Sequence, residues 1–231
     1  SANAVVIGSD PATDLAVLKI ELPGLTPAEA ANSDNISVGD VVLAIGNPYG
    51  FGHSVTQGII SGLGRYGLQL SAYEDYIQTD ASIHLGNSGG ALIDTEGRLV
   101  GINTLIYTTS SEGPQSTGIG INLATPSNLA TFVMRDIINF GTVVRGWLGV
   151  SVELLVNRDD QGLPRQVLVV SSLAEDGPAA RAGMRVNDII TRINTEAVKD
   201  GRVAMHYIAR LRPGEVVDVT VERGTQSIEL Q

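Results

Sequence analysis

A serine lies within the glycine-rich segment Gly86-Asn87-Ser88-Gly89-Gly90. Glycines on both sides of a serine permit sharp backbone turns, leave the hydroxyl open to a substrate and allow nearby amides to point at one spot. Acyl transfer needs such a hydroxyl as nucleophile and two N–H donors aimed at the developing oxyanion. The segment therefore indicates a nucleophilic serine, and the alternative interpretation is an ordinary turn.

The surroundings of this segment favour the catalytic interpretation. Asp80 lies eight residues before Ser88, and a predicted strand follows within Gly97–Asn103. Far upstream, Asp14 directly precedes the apolar run Leu15–Ile20, so an acid stands at the start of another predicted strand. A turn with no chemical role would not require these neighbours.

The residues that must position the serine predict a barrel or sandwich. The predicted strands are short apolar runs, and glycine, proline or asparagine separates many of them: Leu15–Ile20, Val41–Ile45, Val55–Ile60, Tyr76–Thr79, Ala91–Ile93 and Leu99–Ile102. Asp94-Thr95-Glu96-Gly97 is typical of a hairpin turn. One helix follows, in which apolar residues recur every 3.6 positions between Ser127, the predicted N-cap, and Gly141, the predicted stop. Many short strands closed by one helix indicate an antiparallel barrel or sandwich.

The last third of the chain predicts strands around two helices. The strand-like runs are Val167–Val170, Ile189–Ile193 and Val216–Val221. Pro178–Ala182 predicts a short helix, and apolar residues four apart predict a second one that ends before Pro213.

Composition limits the classes of protein to which the chain can belong. Its 231 residues suffice for one large domain or two modest ones. Residues 1–140 hold 4 basic and 13 acidic side chains (net −9) and residues 141–231 hold 11 and 12 (net −1), a weak sign of a boundary. The total of −10 argues against a nucleic-acid-binding surface. The absence of cysteine excludes disulfides, thiolate metal sites and a cysteine nucleophile.

Several motifs together make the sequence similar to the HtrA family of serine proteases, and within it to the members of the DegS/AlgW type, which have one PDZ domain. The motifs extend over most of the chain: Ser9–Ile20, Gly39–Gly50, Thr56–Gly62, Gln78–Asp94, Gly101–Thr104, Arg145–Val150 and Asp176–Asp188. The resemblance implies a mainly β chain, with a chymotrypsin-like double β-barrel followed by an α+β PDZ domain. We expect the protease domain, lacking its N-terminal part, at residues 1–141 and the PDZ domain at residues 142–231.

The resemblance assigns roles to individual residues of the protease domain. Ser88 matches the nucleophile and Asp14 matches the acid that orients the catalytic histidine. The backbone amides of Gly86 and Ser88 match the oxyanion hole. Arg65 matches the arginine of a sensor loop, which relays PDZ-side signals to the active site, and Tyr49 matches the aromatic residue that this loop contacts in the activated state. From its glycines, we expect the Arg65 loop, Gly62–Ser71, to be mobile.

The catalytic histidine is the main departure from the family pattern. The family's general base precedes the acid, and none of the 13 residues before Asp14 is a histidine. His53, His84 and His206 all lie elsewhere. We expect that the base lies outside these residues and that the chain as given is inactive. The alternatives are a true pseudoprotease and a substitute base, for which His84 is the nearest candidate to Ser88.

A second motif, Gly146-Trp147-Leu148-Gly149-Val150, resembles the carboxylate-binding loop of a PDZ domain. Successive amides in such a loop hold a terminal carboxylate while the ligand adds as a strand to the sheet edge. The apolar Trp147, Leu148 and Val150 would line the pocket for the last side chain of the ligand. The alternative is a turn that merely connects two domains.

The function implied by the resemblance is that of a periplasmic serine endopeptidase that is switched by peptide binding and acts in the envelope stress response. The activators would be C-terminal peptides of misfolded outer-membrane proteins, and the substrates an anti-sigma factor or misfolded envelope proteins. We expect a homotrimer, no nucleic-acid partner, no metal and no cofactor; an inner-membrane anchor would lie outside these residues. A DegP/DegQ-like quality-control protease and a non-catalytic peptide-binding scaffold or chaperone are the alternatives.

Overall fold

The computed structural model describes residues 2–50, 52–68, 70–107, 121–158, 164–198 and 201–231. The chain forms two compact units, Ser1–Val143 and Val144–Gln231. Within the described residues, no helix is both long and apolar enough to cross a membrane.

The first unit is built around a closed antiparallel barrel. Its strands, with the preceding hairpin of β1 and β2, are β1 (Ala4–Asp10), β2 (Leu15–Ile20), β3 (Val41–Gly46), β4 (Ser54–Arg65), β5 (Tyr76–Thr79), β6 (Ala91–Asp94), β7 (Leu99–Tyr107) and β8 (Ile121–Pro126). The barrel closes in the order β3-β4-β5-β8-β7-β6, with β6 paired to β3. Alternate residues of β3 point inwards, so Val42 and Ala44 join Ile60, Leu92 and other apolar side chains in a core removed from water.

Helix α1 (Ser127–Phe140) follows the last barrel strand and packs on the β1–β2 hairpin. Its buried apolar residues, Leu129, Val133 and Ile137, recur at helical spacing against Leu15 and Val17 of β2. The helix ends at Gly141, whose φ of +75° is the left-handed conformation predicted for that glycine.

The predicted N-cap of this helix is wrong. Pro126 occupies the cap position and Ser127 is the first helical residue. The Ser127 hydroxyl donates to the carbonyl of Ala31 at 2.7 Å, so it is engaged by a distant part of the chain. The hydroxyl of Ser33 instead accepts a hydrogen bond from the N–H of Asn128.

The second unit is a sheet with two helices. Its elements are β9 (Val150–Arg158), β10 (Pro164–Leu173), α2 (Pro178–Arg181), β11 (Ile189–Ile193), β12 (Glu196–Ala197), α3 (Gly201–Arg210), β13 (Val219–Arg223) and β14 (Gln226–Leu230). The sheet order is β14-β13-β11-β10-β9, so β9 is an edge strand among the described residues. Val170, Ile193 and Val221 form the centre of its core.

A buried ion pair ties together three parts of this sheet unit. The Asp188 carboxylate, only 1% exposed, accepts hydrogen bonds from Nε and Nη2 of Arg223, both at 2.7 Å. The backbone N–H of Arg185 donates to the same carboxylate at 2.8 Å. The hydrogen bonds from Arg223 lower the pKa of Asp188 below its usual value. Burial acts in the opposite direction, and the backbone hydrogen bond from Arg185 lowers the pKa further.

The mainly β architecture predicted from the sequence is confirmed, although several element bounds differ. Strands β2, β5 and β11 have the predicted bounds, and the Asp94–Gly97 turn joins β6 to β7. The predicted strand Val216–Val221 is displaced, since β13 starts at Val219. Strand β4 extends five residues beyond the predicted end, to Arg65. Strands β1, β8, β9, β12 and β14 were not predicted.

Candidate active site and peptide-binding loop

The loop between β5 and β6 presents Ser88 to solvent. The Ser88 Oγ donates a hydrogen bond of 2.7 Å to the carbonyl of Thr104 in β7. Two backbone bonds of 2.8 Å connect the same strand to the loop, from the Gly89 N–H to the Asn103 carbonyl and from the Asn103 N–H to the Gly90 carbonyl. The predicted nucleophile therefore lies on a loop that the barrel holds through its backbone.

The two predicted oxyanion donors flank Asn87, and both amides are free to bind an external group. Among the described residues, neither the Gly86 N–H nor the Ser88 N–H donates a hydrogen bond. The intervening Asn87 N–H differs, because it donates to the carbonyl of His84 at 2.9 Å. Two unpaired amides beside an exposed serine hydroxyl are the arrangement that an oxyanion hole requires.

The orientation of the Gly86 amide is set by the segment after β3. The Leu85 carbonyl accepts a hydrogen bond of 3.2 Å from the N–H of Tyr49. The C=O and N–H of a trans peptide group point in opposite directions, so the Gly86 N–H faces away from Tyr49. Gly86 has a φ of +99°, and a Cβ there would lie 2.9 Å from the carbonyl oxygen of Asn47. Only glycine fits this position without strain.

Two buried asparagines, which sequence reasoning missed, support the serine loop. Asn87 is 1% exposed, and an added Cβ at Gly46 would overlap its side chain, so Gly46 provides the space that it fills. The Asn103 Nδ2 donates to the carbonyls of Ile45 and Ala91, at 3.0 and 3.1 Å. An asparagine directly before Ser88 was the only available sequence signal.

Asp14, the predicted catalytic acid, lies in the turn between β1 and β2. Its φ of +57° is in the left-handed region, which aspartate tolerates better than most residues. Within the turn, the hydroxyl of Thr13 donates to Oδ2 of Asp10 at 2.5 Å. Asp14 is close enough to Tyr76 to act on its phenol: burial raises the pKa of Tyr76, and the charges of Glu74 and Asp14 raise it further.

Arg65 and Tyr49, the predicted activation residues, are held by different partners. Arg65 is the last residue of β4, not part of a free loop, and its Nε donates to Oε1 of Gln78 at 2.7 Å. Gly62 leaves the space that the guanidinium occupies. Tyr49 has a φ of +53°, and its ring is 64% exposed. The expectation that Gly62–Ser71 is entirely a loop is wrong, because its first four residues belong to β4.

A buried carboxylate, also missed by sequence reasoning, organises the backbone after Arg65. Glu74 is 5% exposed, and it accepts hydrogen bonds from the N–H groups of Leu68 and Leu70, at 2.7 and 2.5 Å, and of Ser71, at 3.3 Å. Its place in a polar stretch of the sequence gave no sign of this role.

In the second unit, the segment Gly146–Val150 has two paired carbonyls and, among the described residues, three consecutive amides without an acceptor. The carbonyls of Leu148 and Gly149 accept from Ala179 and Ala174, at 3.0 and 2.8 Å. Over the described residues, the N–H groups of Trp147, Leu148 and Gly149 have no acceptor. Consecutive free amides form a concave site for an anion.

The surroundings of this segment are apolar. Leu148 and Val150 pack on the core of the sheet unit, as do Tyr207 and Leu211 near the end of α3. A cavity of about 300 Å³ is lined by Trp147, Leu148 and Leu211 among others. Trp147 itself is 66% exposed.

Comparisons with known proteins identify the family. The profile of the trypsin-like peptidase domain matches residues 1–102, and that of the PDZ domain matches residues 146–231. The structure of "HtrA-type protease AlgW with tripeptide" superposes with a TM-score of 0.82 at 48% identity, over 98% of this chain and 75% of that one. The chain belongs to the HtrA family of serine proteases.

Curated relatives of this HtrA-family chain are named as serine endoproteases. "Serine endoprotease DegS" of Escherichia coli (strain K12) is 44% identical over 99% of this chain and 65% of the relative. "Probable periplasmic serine endoprotease DegP-like" of Brucella suis biovar 1 is 41% identical over 99% of this chain and 44% of the relative. The chain thus spans under two thirds of the length of these curated relatives. The predicted fold class, a trypsin-like barrel with a PDZ domain, is confirmed.

The histidines of this HtrA-family chain are not bonded to Ser88 within the described residues. His53 and His84 are exposed, and the backbone carbonyl of His84 closes the turn to Asn87. His206 belongs to α3, in the second unit, and its side chain lies outside the described set. The Ser88 hydroxyl donates to a backbone carbonyl instead.

Proposed function

We propose that the chain provides the nucleophile, oxyanion hole and catalytic acid of a serine endopeptidase, in a protease domain at residues 1–141. A PDZ domain at residues 142–231 reads peptide C-termini and switches the protease. The observation that carries the proposal is that the amides of Gly86 and Ser88, beside the exposed Ser88 hydroxyl, donate no hydrogen bond within the part of the chain that the structure describes. The family of the chain gives the class of reaction.

The proposed mechanism is acyl transfer in two steps. Ser88 Oγ attacks the carbonyl carbon of the scissile peptide while a histidine takes its proton, and the carbonyl oxygen becomes an oxyanion bound by the amides of Gly86 and Ser88. The histidine then protonates the leaving amine, and water hydrolyses the acyl-enzyme by the same route. Asp14 orients the histidine and stabilises its imidazolium form. This base would precede Asp14, where these 231 residues offer no histidine.

A Ser88→Ala variant of the complete protein tests the nucleophile. Cleavage of an unfolded polypeptide should fall to the level that an oxyanion hole and binding alone sustain, roughly 10³–10⁴-fold over water. The melting temperature should hardly change, because the Ser88 side chain is exposed. Ser37→Ala, at an exposed serine of the same unit, is the matched control and should cleave like the wild type. Turnover by Ser88→Ala close to that of Ser37→Ala would refute the assignment.

We further propose that the amides of Trp147, Leu148 and Gly149 bind the terminal carboxylate of a peptide that pairs with the edge strand β9. Two observations support this proposal: none of these amides has an acceptor among the described residues, and the related AlgW structures are those of AlgW with a decapeptide and with a tripeptide. The proposed activators are C-termini of misfolded outer-membrane proteins. The proposed substrates are an anti-sigma factor or misfolded envelope proteins, cleaved by a homotrimer in the periplasm. The DegP-like relatives favour quality control as the second candidate.

Paired peptides test the PDZ assignment. A peptide with a free C-terminus should bind at least about tenfold more tightly than the same peptide with an amidated C-terminus, since a charge-assisted hydrogen bond contributes roughly 1.5–3 kcal/mol. Calorimetry measures both affinities. Equal affinities would rule out capture of the carboxylate. If the free C-terminus binds more tightly, a series of peptides that differ in sequence shows whether C-termini of outer-membrane proteins are preferred.

A further inference from the structure

The backbone of Tyr73 contacts the turn that carries Asp14, and none of the roles proposed above uses this contact. The Tyr73 N–H donates a hydrogen bond of 3.0 Å to the carbonyl oxygen of Ala12. In the same turn, the Thr13 N–H donates to the carbonyl of Asp10 at 3.2 Å. The Ala12 carbonyl and the Thr13 N–H belong to one planar peptide group, so this group is held at both ends.

This peptide group sets the direction of Asp14. Thr13 joins the held group to Asp14, and its side chain is buried and bonded to the Asp10 carboxylate at 2.5 Å. Asp14 itself has a φ of +57°, in the left-handed region that aspartate tolerates better than most residues. Rotation of the held peptide group would therefore turn the Asp14 carboxylate away from the histidine that it is proposed to orient.

The position of Tyr73 depends in turn on Glu74. The buried Glu74 carboxylate accepts hydrogen bonds from the N–H groups of Leu70 and Ser71. The hydroxyl of Ser71 donates to the Tyr73 carbonyl at 3.2 Å and lies 3.1 Å from the hydroxyl of Tyr76. The short segment Leu70–Tyr73 is thus held by the Glu74 carboxylate and contacts Tyr76 of β5. Its last residue bonds to the turn that carries Asp14.

We propose that Glu74 and the Tyr73 N–H are positioning groups for the catalytic acid. The segment Leu70–Tyr73, which follows Arg65, then influences the active site through the Asp14 turn. This route does not involve the loop that carries Gly86 and Ser88. The proposal rests on the role of Asp14 proposed above. It predicts that loosening the Leu70–Tyr73 segment slows the chemical step and leaves substrate binding intact.

Deletion of one N–H tests the contact in the complete protein. Tyr73→Pro removes the donor to Ala12, since proline has no N–H. Tyr73→Phe keeps the donor and is the matched reference. The kcat of Tyr73→Pro should be about tenfold or more below that of Tyr73→Phe, because small misplacements of catalytic groups can cost ~10²-fold. KM should agree within about twofold, and equal kcat values would overturn the proposal.

A double-mutant cycle shows whether the effect passes through Asp14. Asp14→Asn should lower kcat by about 10⁴-fold. In that background, adding Tyr73→Pro should change kcat by less than about twofold, because residues that act as a unit are not additive. The full effect of Tyr73→Pro in both backgrounds would overturn the proposal. A wild-type kcat for Asp14→Asn would refute the acid assignment and, with it, this inference.

A second variant keeps the test decisive if Tyr73→Pro fails to fold. Glu74→Gln keeps the size of the side chain and replaces one acceptor oxygen by a donor, which opposes the N–H groups that it meets. Its kcat should fall about tenfold with KM preserved, and the fall should vanish in the Asp14→Asn background. An unchanged kcat in a folded Glu74→Gln protein would overturn the role of Glu74.

Discussion

At the scale of single residues, Gly86 combines a backbone requirement with a proposed chemical role, that of an oxyanion donor. Its φ of +99° places it where residues with a side chain are strained, and its Cα faces the backbone of Asn47 and Tyr49. The same residue carries one of the two unbonded amides beside Ser88. A side chain at this position would push the Leu85–Gly86 peptide group away from Tyr49 and reorient the amide.

We therefore expect Gly86→Ala to lower kcat by about 10²–10³-fold, the usual effect of losing one oxyanion donor. The control is Gly97→Ala, in the turn between β6 and β7. Gly97 also has a positive φ, +79°, but an added Cβ there meets nothing within 4 Å. Gly97→Ala should cost about 1–2 kcal/mol of stability, the usual cost of a side chain in the left-handed region, and leave kcat unchanged. Steady-state kinetics on both folded variants checks this, and equal losses of kcat would contradict it.

At the scale of elements, the end of β4 and strand β5 are joined by the Arg65–Gln78 hydrogen bond. A guanidinium can exchange one set of oxygen acceptors for another, which suits a residue that holds a segment in one of two positions. An activating peptide can shift such an equilibrium only by its different affinity for the two states.

Arg65→Ala in the complete protein should consequently reduce peptide-stimulated cleavage and leave peptide affinity nearly intact. Arg135→Ala, at an exposed arginine of α1, is the control and should alter neither quantity. Cleavage rates at saturating peptide, with affinities from calorimetry, decide the outcome. If the activating peptide stimulates cleavage by Arg65→Ala as fully as cleavage by the wild type, Arg65 takes no part in transmitting the signal.

The elements also show which features the sequence can predict. Strands β2 and β5 were predicted because each is a short apolar run with turn-forming residues at its ends. The role of Ser127 was mistaken because its partner, Ala31, lies 96 residues away along the chain. The role of Glu74 depends likewise on where three backbone amides meet, and residue types carry no information on that. Motif resemblance supplied Ser88 and Asp14, but not the backbone contacts that position them.

At the scale of the whole molecule, acid should affect the unit Val144–Gln231 through the buried ion pair between Asp188 and Arg223. Asp188 has a lowered pKa in the folded state, so its contribution to stability is present above the unfolded pKa of about 3.9. That contribution is lost as the pH falls through the lower, folded pKa. Removal of Asp188 should lower the stability of the unit because it would leave the Arg223 guanidinium without its main partner.

Asp188→Asn should therefore lower the free energy of unfolding of this unit at pH 7 by about 2–3 kcal/mol, less than a fully buried pair would lose because Arg223 is partly exposed. The difference from the wild type should shrink below about pH 4, where the Asp188 carboxyl of the unfolded chain takes up a proton, and should be lost at the lower pH where the folded carboxyl is also protonated. Trp147, the one tryptophan of the chain, lies in this unit, so its fluorescence during urea titration follows the unfolding. Glu229→Gln, on the exposed side of β14, is the control and should track the wild type at every pH. A difference between Asp188→Asn and the wild type that stayed constant down to about pH 2 would mean that packing, not charge, makes Asp188 necessary.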